Sequence, residues 1–546
     1  MTPALKPSEV WKTLPWRKIQ RNVFRRQKRI YQAKLRGDVR TVHSLQRLLL
    51  RSWSARCLAV RKVSQDNRGK RTPGVDGVAS LTPAQRVAYV HRLRHLDQAA
   101  DPVRRTYLLK PNGEQRPLGI ATMFDRACQA LVKLALEPEW EAIFEPNSYG
   151  FRPGRSAHDA IEAIFNFIRL KPKYVLDADI EKCFDRINHQ ALLIKLAAIQ
   201  PITKLVRGWL KAGIVDEGQT LFPEAGVPQG GVISPLLMNV ALHGLEENLR
   251  QQYPKRQKPA VVRYADDLVI LHHDLDTLQQ VKLQAEMWLT SMGLQLKPSK
   301  TQITHTLEKY EGNVGFDFLG FNIRQYRVGR YKTRTYRAKA GFKTIIKPSK
   351  KSQQRHLTHL KQVIREYRGS SQAGLIGKLN PIIRGWANYF RTCSAKQIFD
   401  WMSTQLYRKL CRWAAFRHPR KWPSWCYRRY WRKHKGRIRF CDGTNYLHQY
   451  EQTRIRRHTK VIGSKSPFDG DWVYWAKRLM RDPLKPVRVV KLLKWQQGKC
   501  EECGLPFTAE DVVEVHHVNG NHKDNRYVNL SLLHGHCHDI AHAGCL

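Results

Sequence analysis

The sequence predicts a multidomain α+β protein, and three observations carry that expectation. The chain has 546 residues, too many for one compact core at ~100–200 residues per domain. Helix-period apolar stripes alternate with short β-rich runs such as YVLDADI (174–180), VVRYADDLVILH (261–272) and FDFLGF (316–321), the mixture of a partly antiparallel sheet with helices. Composition also shifts at both ends, from a Lys/Arg-rich opening to a Cys/His-rich close.

Residues 1–71 hold 20 Lys/Arg against three acidic residues, and Leu45, Leu48, Leu49 and Trp53 recur at helical spacing. This segment reads as a basic, mainly helical extension. RTPGVDGVAS (71–80) breaks it with Pro and Gly. The β-rich runs follow within a more balanced stretch to about 325. Leu357, Leu360, Val363 and Ile364 then share one helical stripe, and a second helical segment runs to IIRGWANYF (382–390). Residues 408–439 hold 13 Lys/Arg, no acidic residue and seven aromatics.

Lysine and arginine number 96 against 45 acidic residues, a net charge of +51. Self-repulsion on that scale calls for a polyanionic partner. The 42% hydrophobic and 10% aromatic content excludes a disordered basic tail. No run of about 18 apolar residues predicts a membrane span, and MTPALKPSEVWK lacks the apolar core of a secretory signal. The 11 cysteines are odd in number and four fall in the last 47 residues, which indicates metal binding in a reducing cytoplasm rather than a disulfide framework.

Tyr264-Ala265-Asp266-Asp267 lies between VVR and LVIL, so the aspartates fall at a turn between two strands. Adjacent carboxylates repel and are tolerated when solvated or on a cation. A third carboxylate, Asp179, ends the apolar strand YVLDAD, with Asp177 and Asp185 as chemical competitors. Three carboxylates at strand ends suit two Mg²⁺ ions about 4 Å apart, the arrangement for in-line phosphoryl transfer. Near the end of the chain, Cys500-Glu-Glu-Cys503 and His534-Gly-His-Cys537 supply two pairs at one spacing, and together suit a tetrahedral Cys₃His zinc site. His536 is the alternative to His534. His538 and His542 are four apart and face one side of a helix.

The order of these stretches resembles the motif series of reverse transcriptases, and within them the group II intron-encoded maturases. TPGVDG (72–77), RTYLLKPNGEQRPLGIATMFDRACQ (105–129), YGFRPGRSAHDA (149–160), AGVPQGGVISPLLMN (225–239), YADD (264–267), GLQLKPSKT (293–301) and FDFLGF carry the resemblance over residues 70–480. It implies a right-hand polymerase fold, with fingers and palm built on an antiparallel sheet and a helical thumb. It makes Asp179, Asp266 and Asp267 the Mg²⁺ ligands and catalytic residues. It places Lys110 and Arg116 on the incoming triphosphate, Phe184 under the deoxyribose as a barrier to a 2′-OH, and Gln229 beside the nucleotide sugar. Arg152 has two readings, a template contact and a structural salt bridge. The terminal EVHHVNGNHKDNRYVNLSLL and CHDIAH resemble the HNH, or ββα-metal, endonuclease motif. That match makes His517 the general base, His516, His538 and His542 ligands of one divalent cation, and Asn529 the residue that orients the hairpin.

The implied domains are a basic N-terminal extension (1–75), fingers and palm (76–335), a thumb or maturase domain X (336–400), a basic aromatic DNA-binding region (401–484) and an HNH unit with its zinc site (485–546). The expected protein copies RNA into DNA, helps its own intron splice, and cuts the second strand of a DNA target. Its implied partners are group II intron RNA, target DNA, an RNA template with a DNA primer, and dNTPs; a homodimer stays open. A free-standing, retron-like reverse transcriptase with a DNA-binding zinc module is the alternative. A splicing cofactor with decayed sites, or a basic RNA-binding protein without catalysis, fits less well, because both metal constellations are intact.

Overall fold

The computed structural model describes residues 7–109, 113–329, 341–434, 436–508 and 510–543. The chain divides into two compact units, one formed by Met1–Ala160, Ala178–Gln302 and Val461–Leu546, the other by Ile161–Asp177 and Ile303–Lys460.

The basic opening of the first unit is helical, as its apolar spacing predicts. Helices Trp16–Leu35, Val39–Arg51 and Trp53–Arg61 follow one another, and Asp38 caps the second by accepting from the Thr41 N–H. The buried face is Val42, Leu45, Gln46, Leu49 and Leu50. Leu48 and Trp53 are exposed instead. Leu48 lies off that face, and the extended backbone of Ser52 breaks the helical spacing before Trp53. These helices pack on the long Met123–Glu141 helix, where Gln46 Nε2 donates to Glu139 Oε2 at 2.7 Å and Lys34 pairs with Glu139 at 2.7 Å. Val103–Leu109 and Gln115–Ile120 form an antiparallel hairpin.

Two short strands, Ala260–Tyr264 and Asp267–His272, make a hairpin in which Tyr264 pairs with Asp267. Their β-branched residues are buried on both faces. Tyr174–Asp179 and Gln302–His305 are further short strands. At the C-terminal end Val513–His517 and Leu530–His534 pair antiparallel, and helix Gly535–Ala543 follows directly, giving a ββα unit. Its core joins Leu492, Leu493, Phe507, Leu532 and Leu533. None of the ten described cysteines forms a disulfide. Among the described residues no helix is long and apolar enough to cross a membrane.

The second unit is organised by helices Lys350–Glu366, Gln372–Phe390 and Lys396–Arg417. The predicted stripe buries Leu360, Val363 and Ile364. Its aromatics separate by role. Trp413 is buried against Tyr430 and Phe440, whereas Trp422 is 80% exposed. His356 is stacked on Trp386 at 4.9 Å and hydrogen-bonded to the Tyr450 hydroxyl.

Burial, with a smaller contribution from the charge of His359, lowers the His356 pKa to about 4. Between that value and the unfolded value near 6.5, the folded chain binds fewer protons than the unfolded one. Stability therefore falls as pH drops through this window, by about 3 kcal/mol for a fully neutral buried ring. Thermal melts from pH 7 to 4 are expected to show this decline, and His356→Gln should flatten it while lowering stability at pH 7.

Candidate active site and metal centres

The hairpin that carries the Asp pair turns through Ala265 and Asp266. Ala265 is buried and adopts φ +58°, a left-handed conformation costly for any residue with a Cβ. The surroundings hold it there. Arg263, buried under the turn, donates from Nη1 to the Ala265 carbonyl at 3.2 Å and to Asn239 Oδ1 at 3.0 Å. Asn239 Nδ2 donates in turn to the Gly150 carbonyl at 2.9 Å. A Cβ on Gly150 would come within 2.3 Å of the Ala265 nitrogen, so only glycine permits this approach.

Asp179 ends its strand beside the turn. The Ile180 N–H donates to the Asp266 carbonyl at 3.1 Å, and the Lys297 N–H donates to the Asp179 carbonyl at 2.8 Å. Burial, and next the charge of Asp179, raise the pKa of Asp266, while Arg116 and Lys300 oppose the shift. Lys300 Nζ donates to Asp179 Oδ2. A buried carboxylate repelled by a second one is donor chemistry that suits a divalent cation. The structure thus brings Asp179, Asp266 and the field of Arg116 together, with Asp267 opening the second strand of the hairpin. Lys110 lies outside the described residues.

Gln229 sits in the glycine-rich loop and donates from Nε2 to Asp185 Oδ1 at 3.3 Å. The same loop clamps the segment that bears Phe184: Val227 N–H donates to the Phe184 carbonyl at 2.6 Å. Gly226, at φ +92°, leaves no room for a Cβ, which would meet the Asp185 carbonyl oxygen at 2.7 Å. Asp185 thus faces the loop. Arg152 is structural: its buried guanidinium is bidentate on Glu141 at 2.8 and 2.9 Å and donates to the Glu145 and Ser148 carbonyls. Lys300, Arg263, Asn239 and Gly150 escaped sequence reasoning. The YGF and LLMN stretches that contain Gly150 and Asn239 stood out only as motifs, with nothing to show that they meet beneath the turn.

In the ββα unit, the ligand atoms of Cys500, Cys503, His534 and Cys537 all lie within 4.8 Å of one another. His534, not His536, completes the set. His534 Nδ1 faces Cys503 Sγ at 3.4 Å, and its Nε2 lies 3.5 Å from Asp511 Oδ2. One ring nitrogen is therefore turned to the thiols and the other to a carboxylate, the usual way a metal-binding imidazole is oriented. A second group, His516, His538 and His542, meets the same criterion. His538 Nε2 and His542 Nε2 are 3.1 Å apart, and His538 Nδ1 lies 2.9 Å from Glu514 Oε2. His517 is next to His516 on the strand, and its ring is 5.0 Å from His522. Asn529 is buried; its Oδ1 accepts from the Asn519 N–H at 2.9 Å and its Nδ2 donates to the Asp524 carbonyl at 3.0 Å, bracing the loop after His517.

Comparison with known proteins places this site in a class. Residues 108–323 match the family described as reverse transcriptase (RNA-dependent DNA polymerase), and residues 11–93 match the N-terminal domain of reverse transcriptase. Protein YkfC of Escherichia coli K12 is 32% identical over 328 residues, 52% of this chain and 84% of that protein. The chain thus carries a reverse transcriptase domain. Residues 353–431 match the maturase-specific domain of group II introns. The group II intron-encoded protein LtrA of Lactococcus lactis is 28% identical over 333 residues, 49% of this chain and 54% of LtrA. Maturase-like protein 1 of Euglena gracilis is 28% identical over 385 residues, 69% of this chain and 76% of that protein. The chain belongs to the group II intron reverse transcriptases and maturases. It spans about half the length of LtrA.

The Asp511–His534 contact carries an expected outcome. Asp511→Asn should weaken metal retention at this cluster by roughly 10–100-fold, measured on the purified full chain loaded with zinc by its release to a chromophoric chelator. Unchanged retention would mean that the carboxylate does not orient the ring.

Proposed function

We propose that the chain is a three-function group II intron protein: an RNA-directed DNA polymerase, a maturase for its own intron RNA, and an endonuclease for the second strand of a DNA target. The observation that carries the polymerase reading is the pairing of Asp179 with the strained Asp266 turn inside a reverse transcriptase domain. In this reading Asp179, Asp266 and Asp267 hold two Mg²⁺ ions. When bound, those ions activate the primer 3′-OH and balance charge on the dNTP triphosphate. Arg116, with Lys110, grips the triphosphate, Gln229 lies along the sugar, and Phe184 blocks a 2′-OH. Lys300 offsets part of the charge on Asp179.

The nuclease reading rests on the three-histidine cluster beside His517 in a ββα unit. His516, His538 and His542 hold one divalent cation, which when bound polarises the scissile phosphate and stabilises the leaving oxygen. His517 takes the proton from the attacking water, with Asn529 bracing its loop. The Cys₃His set holds Zn²⁺ and contributes folding energy. A retron-like polymerase with a DNA-binding zinc module is the second reading, but the maturase-specific match at 353–431 favours the first. The proposed division runs as extension 1–75, fingers and palm 76–335, domain X 336–400, DNA-binding region 401–484 and HNH unit 485–546. Exposed Trp422 and the arginines around it suit base stacking and phosphate contacts.

Two variants separate the activities. Asp267→Asn should abolish RNA-templated dNTP incorporation and leave intron RNA binding intact. His517→Ala should remove second-strand cleavage and leave polymerisation and splicing unchanged. Incorporation by Asp267→Asn near the wild-type rate, or cleavage by His517→Ala at full rate, would refute the corresponding assignment.

A further inference from the structure

Phe151 is an exposed aromatic on a backbone that disfavours it. Its φ is +58° and 52% of its surface is exposed, so no core packing accounts for the strain. Both neighbours are fixed: Gly150 is pressed against Ala265, and Arg152 is buried on Glu141. Between these anchors the Phe151 ring is held out of the core, and it meets one other aromatic edge-on. That partner is Phe184, with ring centroids 6.2 Å apart and planes at 79°. The main chain of Phe184 is already clamped by the loop through Val227, which leaves its side-chain torsions as the remaining freedom. A barrier against a 2′-OH discriminates by shape, and a ring that swings aside discriminates poorly.

We propose that Phe151 is a positioning residue that fixes the Phe184 ring and thereby sets the preference for deoxyribonucleotides over ribonucleotides. The inference rests on the assignment of Phe184 as the sugar barrier. Edge-to-face contact supplies the restraint, and the left-handed backbone aims the ring across the nucleotide site rather than into the core.

The test uses the full chain on poly(rA) with an oligo(dT) primer, and compares kcat/KM for dTTP with that for UTP. Phe184→Val should lower the selectivity by about 100-fold, which checks the barrier itself. Phe151→Ala should lower it by about tenfold while dTTP use stays within about threefold of wild type. Phe151→Tyr, which keeps the ring, should retain wild-type selectivity. Phe151→Gly relieves the backbone but lacks the ring, and should behave like Phe151→Ala. Relaxed selectivity in Phe184→Val with none in Phe151→Ala overturns the inference and leaves the barrier standing. Equal losses with dTTP and UTP, together with a raised KM for primer-template, overturn it in favour of a template contact. Full selectivity in Phe184→Val removes the barrier assignment and this inference with it.

Discussion

Asp179 and Asp266 are held close enough to repel each other, although burial already penalises the charge on Asp266. Left to itself the hairpin would relax by swinging the turn away, and a left-handed Ala265 adds a further reason to do so. The structure prevents this with a neutral amide, a buried guanidinium and the absence of a side chain: Asn239, Arg263 and Gly150. Arg263 and Gly150 act on the backbone of the turn, and Asn239 ties the two together. The backbone of the turn is thereby fixed from behind. The Lys300 contact with Asp179 lies at the mobile end of a long side chain, whereas Arg263 is locked.

The ββα unit solves a related problem in fewer residues. Residues 511–517 present Asp511 to His534, Glu514 to His538, and then His516 to the three-histidine cluster. The first turn of helix Gly535–Ala543 carries Cys537 of one cluster and His538 of the other. A shift of this strand or of the first helical turn would disturb both clusters. The unit is small, and its own core is supplemented by the helix Val487–Trp495. The aromatic contact of His536 with Trp16, and the Arg61 guanidinium 4.6 Å over that tryptophan ring, tie it to the basic opening helices.

What the sequence disclosed, and what it hid, follow from the range of the interactions. Strand ends, the Asp-Asp turn, the CxxC pair and His538/His542 on one helical face are local patterns with fixed periods, so they were legible. Asn239, Gly150 and Arg263 meet across 24 to 89 residues of chain, and nothing in their neighbourhoods marks them as one network. Arg152 shows the same limit from the other side. Its motif allowed a template contact, and only the Glu141 carboxylate eleven residues upstream makes it a buried ion pair. The tryptophans of 408–439 looked alike in composition, but Trp413 fills the core and Trp422 faces solvent.

Charge adds a consequence that composition understates. Among the described residues, the buried acids are Asp125, Glu137, Glu139, Glu141, Glu145, Asp159 and Glu246, seven of the chain's 45 acidic residues. The buried bases among the described residues are Arg56, Arg61, Arg126, Arg152, Arg263 and Arg391, six of the chain's 96. Acidic side chains are thus spent disproportionately inside the fold, on partners such as Arg152, Lys34 and Arg478, and the surface is more one-sided than the total suggests. Glu141, Glu139 and Asp159 are each paired with a cation inside the fold, and contribute little to screening the exterior. A surface rich in lysine and arginine is the condition under which released counterions drive binding to a polyanion. The buried acids therefore serve two ends at once, anchoring the scaffold and leaving the exterior basic.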